Sequence, residues 1–407
     1  TLMTENLIQF VNGSIIDANT AEPAASNILV VEDTIKELST FLDKKLGTDQ
    51  IIDISDKFIL PGLWDIHTHI GKGIPDIEAM VEPLSERTIR AGRNCIDALN
   101  LGVTSLRVVG ERDFIDVAWK KSFLSGRFIG PSLYTCGWFI TTTAGHFLKS
   151  GCALEVDGPV GLRQAIRNQI KNGVDFIKLN LTGGVMGPSW DRMEDTFFTE
   201  DEIKAAFDIC AQRGFKVVAH AGGTEGIQKA ISYGAHTIEH GYQLDDNTVR
   251  QLVGSDTFLV PTLSLTHMNR GEKYADTDFE RQWTLTHPVE EDYKIRAIKA
   301  ADQHAEGFRK AISAGVKICY GADLDLPYGS LLEMSMMVKC GMTPHQAITA
   351  ATLNSAEACL AGDAYGTIEP NKKADLLILN KNPLDDINNI RDVHMVVKGG
   401  RILDGLL

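Results

Sequence analysis

Four histidines, one lysine and one aspartate stand at or near the C-terminal ends of apolar, strand-like runs in this 407-residue chain. His67 and His69 belong to Leu63-Trp64-Asp65-Ile66-His67-Thr68-His69; two residues apart on a strand, they share a face and can converge on one metal ion. Lys178 lies in Phe176-Ile177-Lys178-Leu179-Asn180-Leu181. Alternation puts Ile177, Leu179 and Leu181 on one face and Phe176, Lys178 and Asn180 on the other. An unpaired ammonium buried in a strand is very costly, so Lys178 must be paired, deprotonated or chemically altered. His220 closes Val217-Val218-Ala219-His220, His240 closes Thr237-Ile238-Glu239-His240, and Asp323 closes Cys319-Tyr320-Gly321-Ala322-Asp323. Singly, each has a plain explanation: two polar histidines at a strand end, or a lysine snorkelling into water. Jointly they match barrel enzymes, which carry catalytic groups at the C-terminal ends of parallel strands.

The elements that must position these residues follow a βα rhythm. Strand candidates fall at 63–70, 105–109, 132–135, 176–181, 217–221, 237–240, 258–262 and 317–323, the number needed to close a TIM barrel. Helix signals lie between them. Thr199-Glu200-Asp201-Glu202 is a capping box ahead of 203–213, with Gly214 as the stop. Thr343-Pro344-His345-Gln346 is another, opening a helix to about Leu360. The segment 264–300 is expected to cover the barrel mouth as loop plus helix. Short β-like runs occupy both chain ends: 7–11, 27–31, 34–37, 50–53 and 58–60, then 375–379 and 393–397 before the turn Lys398-Gly399-Gly400-Arg401. The expected architecture is α/β: a (β/α)8 TIM barrel over 61–360, with a small β-sandwich formed jointly by 1–60 and 361–407.

Composition narrows the function. A net charge of −14 argues against nucleic acid or an anionic membrane as the main partner but says nothing about the substrate, which is expected to be a small molecule. The seven cysteines form no C-x-x-C pair and fit reduced, buried thiols. With no apolar stretch of membrane-spanning length and no signal-peptide pattern, a cytoplasmic location is expected. Large barrels commonly assemble symmetrically, so a homo-oligomer is a further expectation.

The set His67-x-His69, Lys178, His220, His240 and Asp323 resembles the amidohydrolase superfamily, in its imidazolonepropionase- and prolidase-like branch. The likeness extends to Leu60-Pro61-Gly62, to Gly366-Thr367-Ile368-Glu369-Pro370-Asn371-Lys372-Lys373-Ala374-Asp375-Leu376, and to Val396-Val397-Lys398-Gly399-Gly400-Arg401. The resemblance implies two divalent metal ions, usually Zn2+. His67, His69 and Asp323 would hold the first and His220 and His240 the second, with Lys178, N-carboxylated by carbon dioxide, bridging both. Burial favours the neutral amine that carboxylation requires. The implied reaction is hydrolysis of a C–N bond in an amide, a dipeptide or N-acyl amino acid, or a cyclic amide. A metal-bridging hydroxide would attack, and Asp323 would shuttle the proton. His146, in Thr141-Thr142-Thr143-Ala144-Gly145-His146, would orient the substrate or stabilise the oxyanion.

Two other readings stand beside this one: a mononuclear imidazolonepropionase- or deaminase-like hydrolase, whose relatives lack the bridging lysine, and a non-catalytic scaffold on the same fold. The chain departs from the branch around the substrate. Gly222 stands where dipeptidase- and carboxypeptidase-like relatives often carry a tyrosine, Val108-Val109 follows Arg107 where many carry an Arg-Asp pair, and Asp323 is followed by Leu324-Asp325. Trp138, Met186, Trp190, Tyr242, His267, Met268 and Tyr328 are candidate rim residues. His236, on the phase of His240, is expected to be a satisfied core histidine deeper in the barrel. His267, His287, His304, His345 and His394 are expected on loops or polar helical faces.

Overall fold

A computed structural model describes residues 6–40, 51–72 and 82–403. Gln50, expected to open a strand, lies outside the described residues, as do parts of the expected terminal unit at 1–5, 41–49 and 404–407. Strands from both ends of the chain share one mixed sheet, in the order Arg401–Ile402, Val393–Lys398, Leu376–Leu379, Phe58–Pro61, Leu7–Asp17, Thr20–Val31, Thr34–Ser39; Ile51–Asp53 also pairs with Leu7–Asp17. Phe58–Pro61 and Leu376–Leu379 are zipped antiparallel, with Leu60 opposite Leu377. Leu376–Leu379 is apolar at every position and fully buried, and the pleat explains why. Leu377 and Leu379 face the main hydrophobic core, while Leu376 and Ile378 face a second core with Phe10, Ile28 and Ile35. One strand serves two cores.

The chemistry-bearing strands are parallel. Leu63–Thr68, Val103–Val108 and Ser132–Thr135 form one sheet, and Phe139–Thr141, Ile177–Asn180, Val217–Ala221, Thr237–His240 and Phe258–Val260 belong to a second. Asp175 N donates to Thr135 O at 2.7 Å, joining the two at one edge. At the other edge the expected strand 317–323 makes only an isolated bridge, Leu259 with Ile318, in place of a ladder. Ile66 N donates to Tyr320 O and Asp323 N to His67 O, both at 2.9 Å, so this run still docks on the first strand.

Helices flank these strands as their signals predict. Glu200–Arg213 starts at a capping box in which Thr199 and Glu202 satisfy each other's backbone amides, and it ends at Gly214 with φ 72°. The helix expected over 344–360 is interrupted. Pro344–Thr349 is α-helical, Ala350–Asn354 forms a π-turn, and Ser355–Ala358 resumes the helix. The widened turn lets side chains reach the run 317–323: Asn354 Nδ2 donates to Ile318 O at 2.7 Å and Ser355 Oγ accepts from Tyr320 N at 3.0 Å.

Gly321 shows how tightly that run is held. A Cβ there would stand 2.6 Å from His67 Cβ and 2.8 Å from His67 N. Gly321→Ala is expected to destabilise the fold by about 1–3 kcal/mol, the usual cost of overpacking. Urea unfolding reads this directly; an unchanged midpoint would mean that the run is not pinned against the first strand.

Candidate metal centre

The H-x-H motif does not sit on a simple alternating strand. Asp65 pairs with Leu106 but Thr68 pairs with Val108, so three steps along one strand match two along its neighbour. This bulge inverts the phase. Trp64 and Ile66, before it, pack with Phe258 and Val260, whereas His67 and His69, after it, turn toward Asp323. His67 Nε2 lies 3.7 Å and His69 Nε2 3.6 Å from the two Asp323 carboxylate oxygens. His67, His240 and Asp323 bring one ligand atom each within 4.8 Å of one another.

Glu239 and His240 are consecutive, yet both reach the interior. The register Val218 to Thr237 and His220 to Glu239 makes Thr237 and Glu239 the inward row. His240 joins them because its φ is 74°, a left-handed conformation that a non-glycine residue adopts only under constraint. Asp323 (φ 53°) and Thr262 (φ 50°), which bonds His240, share this property. Three left-handed, non-glycine residues thus meet at the centre.

Each histidine is tied by one ring nitrogen. His67 Nδ1 meets Glu239 Oε2 at 2.5 Å, His69 Nδ1 meets Gly110 O at 2.7 Å, His240 Nδ1 meets Thr262 Oγ1 at 2.7 Å, and His220 Nε2 meets Gly183 O at 3.0 Å. The second nitrogen is the one with which each can ligate, the usual pattern of metal-binding imidazoles. The rings cluster closely: His67 and His240 have centroids 4.8 Å apart, His240 and His220 4.4 Å, and His220 and His146 4.1 Å. Burial is the main cause that holds these imidazoles neutral, lowering His67, taking His69 down to about 3, and moving His220 and His240 well below the ordinary range. Neutral imidazole is the ligating form.

Lys178 is 3% exposed, and its Nζ has no hydrogen-bond partner among the described residues. Burial pushes its ammonium down to about 8, so a neutral amine is accessible near physiological pH. Burial alone would raise the Asp323 carboxyl, but its electrostatic coupling to the neighbouring His67, Lys72, His69 and Lys178 outweighs burial and lowers it. An orphaned buried amine, an anionic carboxylate and neutral imidazoles form a donor set that fits divalent cations.

His146 sits beside this cluster. Its Nδ1 faces both oxygens of the buried Asp191 at 2.8 and 2.9 Å. Gly184 leaves room for the ring: a Cβ there would lie 2.6 Å from His146 Cε1. Gly184 also lines a cleft of about 470 Å³ with Met193, Gln243 and Arg296. Of the expected rim residues, Met186 borders a smaller cavity with Lys72, Leu265 and Trp283, while Trp190 and Tyr328 are exposed. Tyr242 and Met268 are buried instead. Tyr242 stacks on His240 at 5.1 Å and would crowd any side chain at position 222, its Cδ2 being 2.8 Å from a Cβ built there.

Two histidines expected on polar surfaces are interior. His304 lies on the face of Glu291–Ala314 that also buries Ala297, Ala300, Ala301 and Phe308; its Nε2 donates to His240 O at 3.1 Å. His267 is buried with Nδ1 on Leu263 O at 2.9 Å. His236 is satisfied, bonding Ala358 O at 2.7 Å, but it does not face the centre, because the inward row is Thr237 and Glu239.

Sequence reasoning missed the residues behind the ligands. Glu239 is fully buried, accepts from Arg107 Nη2 at 2.7 Å and Thr237 Oγ1, and holds His67 with its other oxygen. Arg107 also donates to Ile66 O at 2.6 Å. Burial would raise Glu239, but the Arg107 charge and the His67 bond hold it firmly anionic. An acid at the inward phase of an apolar strand is the same anomaly that marks Lys178, and it was there to be seen.

Residues 58–403 match the model of the amidohydrolase family. The chain is 29% identical over 383 residues to an ochratoxinase of Aspergillus niger, covering 85% of this chain and 76% of that protein. It is 22% identical over 410 residues to an imidazolonepropionase of Geobacillus thermodenitrificans, covering 90% and 86%. A crystal structure of a Xaa-Pro dipeptidase with bound methionine in the active site superimposes with a TM-score of 0.85 at 27% identity, covering 98% and 100%.

The Arg107–Glu239–His67 relay generates its own test. Glu239→Gln keeps the shape but removes the charge that fixes His67, and is expected to weaken divalent-metal affinity about 10–100-fold. Competition against a chromophoric chelator measures it; undiminished affinity would show that His67 needs no carboxylate behind it.

Proposed function

We infer that this chain, which belongs to the amidohydrolase family, is a metal-dependent hydrolase that cleaves a C–N bond in an amide, a dipeptide, an N-acyl amino acid or a cyclic amide. The observation that carries the reading is the buried, partnerless Lys178 amine amid imidazoles that each commit one nitrogen to the protein. His67, His69 and Asp323 would hold one divalent ion, most simply Zn2+, and His220 and His240 a second, with N-carboxylated Lys178 bridging them. Bound there, such ions supply Lewis acidity toward a carbonyl and make water acidic at neutral pH.

The chain's own residues do the rest. Asp323, held anionic, takes the proton from the attacking water and delivers it to the leaving nitrogen. His146, fixed by Asp191, presents Nε2 toward the substrate carbonyl. We take the two parallel sheets and the run 317–323 together as a (β/α)8 barrel, and segments 1–60 and 361–407 as a β-sandwich unit beside it. The bonds from Asp175 N to Thr135 O and from Ile66 N to Tyr320 O support that closure.

One observation favours a mononuclear alternative: among the described residues the ligand atoms that gather within 4.8 Å of one another are those of His67, His240 and Asp323. Metal analysis separates the two readings, with two ions per chain expected and one ion beside unmodified Lys178 supporting the alternative. Lys178→Ala is expected to lower metal content and to cut turnover by about 100-fold or more, with partial rescue by short carboxylic acids plus metal. Near-normal turnover by that variant would remove the bridging role.

A further inference from the structure

Asn180 is the residue whose chemistry the centre leaves unexplained. It is 3% exposed at the end of Ile177–Asn180, and its Oδ1 is buried with no hydrogen-bond partner. It lies on the face of Lys178, and the register sets Asn180 beside His220 and His220 beside Glu239. Asn180 therefore belongs to the inward row from which the centre is built. One pleat deeper the inward positions are Lys178 and Val218, and Phe176 packs with Val218 beneath the lysine. A carboxamide with an unmet end costs stability there, and a native protein that keeps one calls for a reason.

Among the described residues no neighbour supplies the missing partner. His220 Nε2 is spent on Gly183 O and His146 Nδ1 on Asp191. Lys178 Nζ, the other orphan on this face, does not bond Asn180 either, since both atoms are without partners. We propose that Asn180 is a specificity-determining residue whose carboxamide accepts the N–H of a secondary amide in the substrate, so that the site prefers N–H-bearing amides over tertiary ones such as X-Pro or N-methyl amides. Rotation about the last side-chain bond, broad in asparagine, turns the carboxamide to the incoming group. A site that hydrogen-bonds a substrate N–H discriminates sharply against the analogue lacking it, because its own polar group then stays unpaired.

The inference rests on the hydrolase reading above, and the experiment separates the two. The zinc-loaded wild type is assayed on N-acyl amino acids paired with their N-methyl analogues, and on Xaa-Ala beside Xaa-Pro dipeptides. The secondary amide of each pair is expected to lead in kcat/KM by about 100-fold or more. In Asn180→Leu that ratio should collapse toward unity at unchanged metal content, while the thermal midpoint holds or rises. Equal rates on both members by the wild type would overturn the role of Asn180 and leave the hydrolase reading standing. Turnover of neither member in any pair would overturn both. A lowered midpoint with an undiminished ratio in Asn180→Leu would make the residue structural. The wild-type pairs decide the matter even if the variant fails to fold.

Discussion

The centre depends on one buried carboxylate. Glu239 sits between a guanidinium and an imidazole, and its two oxygens bind Arg107 on the second parallel strand and His67 on the first. Neither partner could be buried without it. Arg107 would be an uncompensated cation in an apolar interior, and His67 would lose the acceptor that selects its tautomer. Arg107 in turn caps Ile66 O, at the bulge that turns the H-x-H motif inward. Three strands are thereby held in register by charge-assisted bonds at the level where the ligands emerge. Glu239 thus anchors His67 through one oxygen and Arg107 through the other.

Strain is stored in the same layer. His240, Thr262 and Asp323 all adopt left-handed backbone conformations without being glycine. His240 departs from the strand just where regular pleating would point its side chain away from the centre. Surrounding contacts enforce the departure: His304 donates to His240 O, Thr262 holds the His240 ring, and Asp323 N donates to His67 O. Such strain persists only when the surroundings over-determine it, and it clusters where a particular geometry matters more than stability.

These features explain which parts of the molecule could be read in advance. Period-two alternation exposes Lys178 as an anomaly because the strand around it is regular, and capping chemistry marks the start of Glu200–Arg213 because it is local. The inward turn of His67 and His240 follows no alternation. One needs a bulge set by the pairing partner, the other a backbone rotation set by tertiary contacts. His304 is legible by spacing though not by type: Ala297, Ala300, Ala301, His304 and Phe308 make one helical stripe, whereas a polar side chain alone points to the surface. Asp191 carries no local signal, since its partner His146 lies 45 residues away.

The sheet shared by the two chain ends has a consequence for how the molecule is made. Phe58–Pro61 leads directly into the strand that carries His67, and one of its edges is covered by Leu376–Leu379. During synthesis that edge has no partner until more than three hundred further residues have left the ribosome. Throughout that interval an apolar strand edge stands open, the kind of surface that pairs with neighbouring chains. The nascent chain must therefore be shielded, or reach Leu376–Leu379 quickly, before His67 and His69 acquire a settled frame.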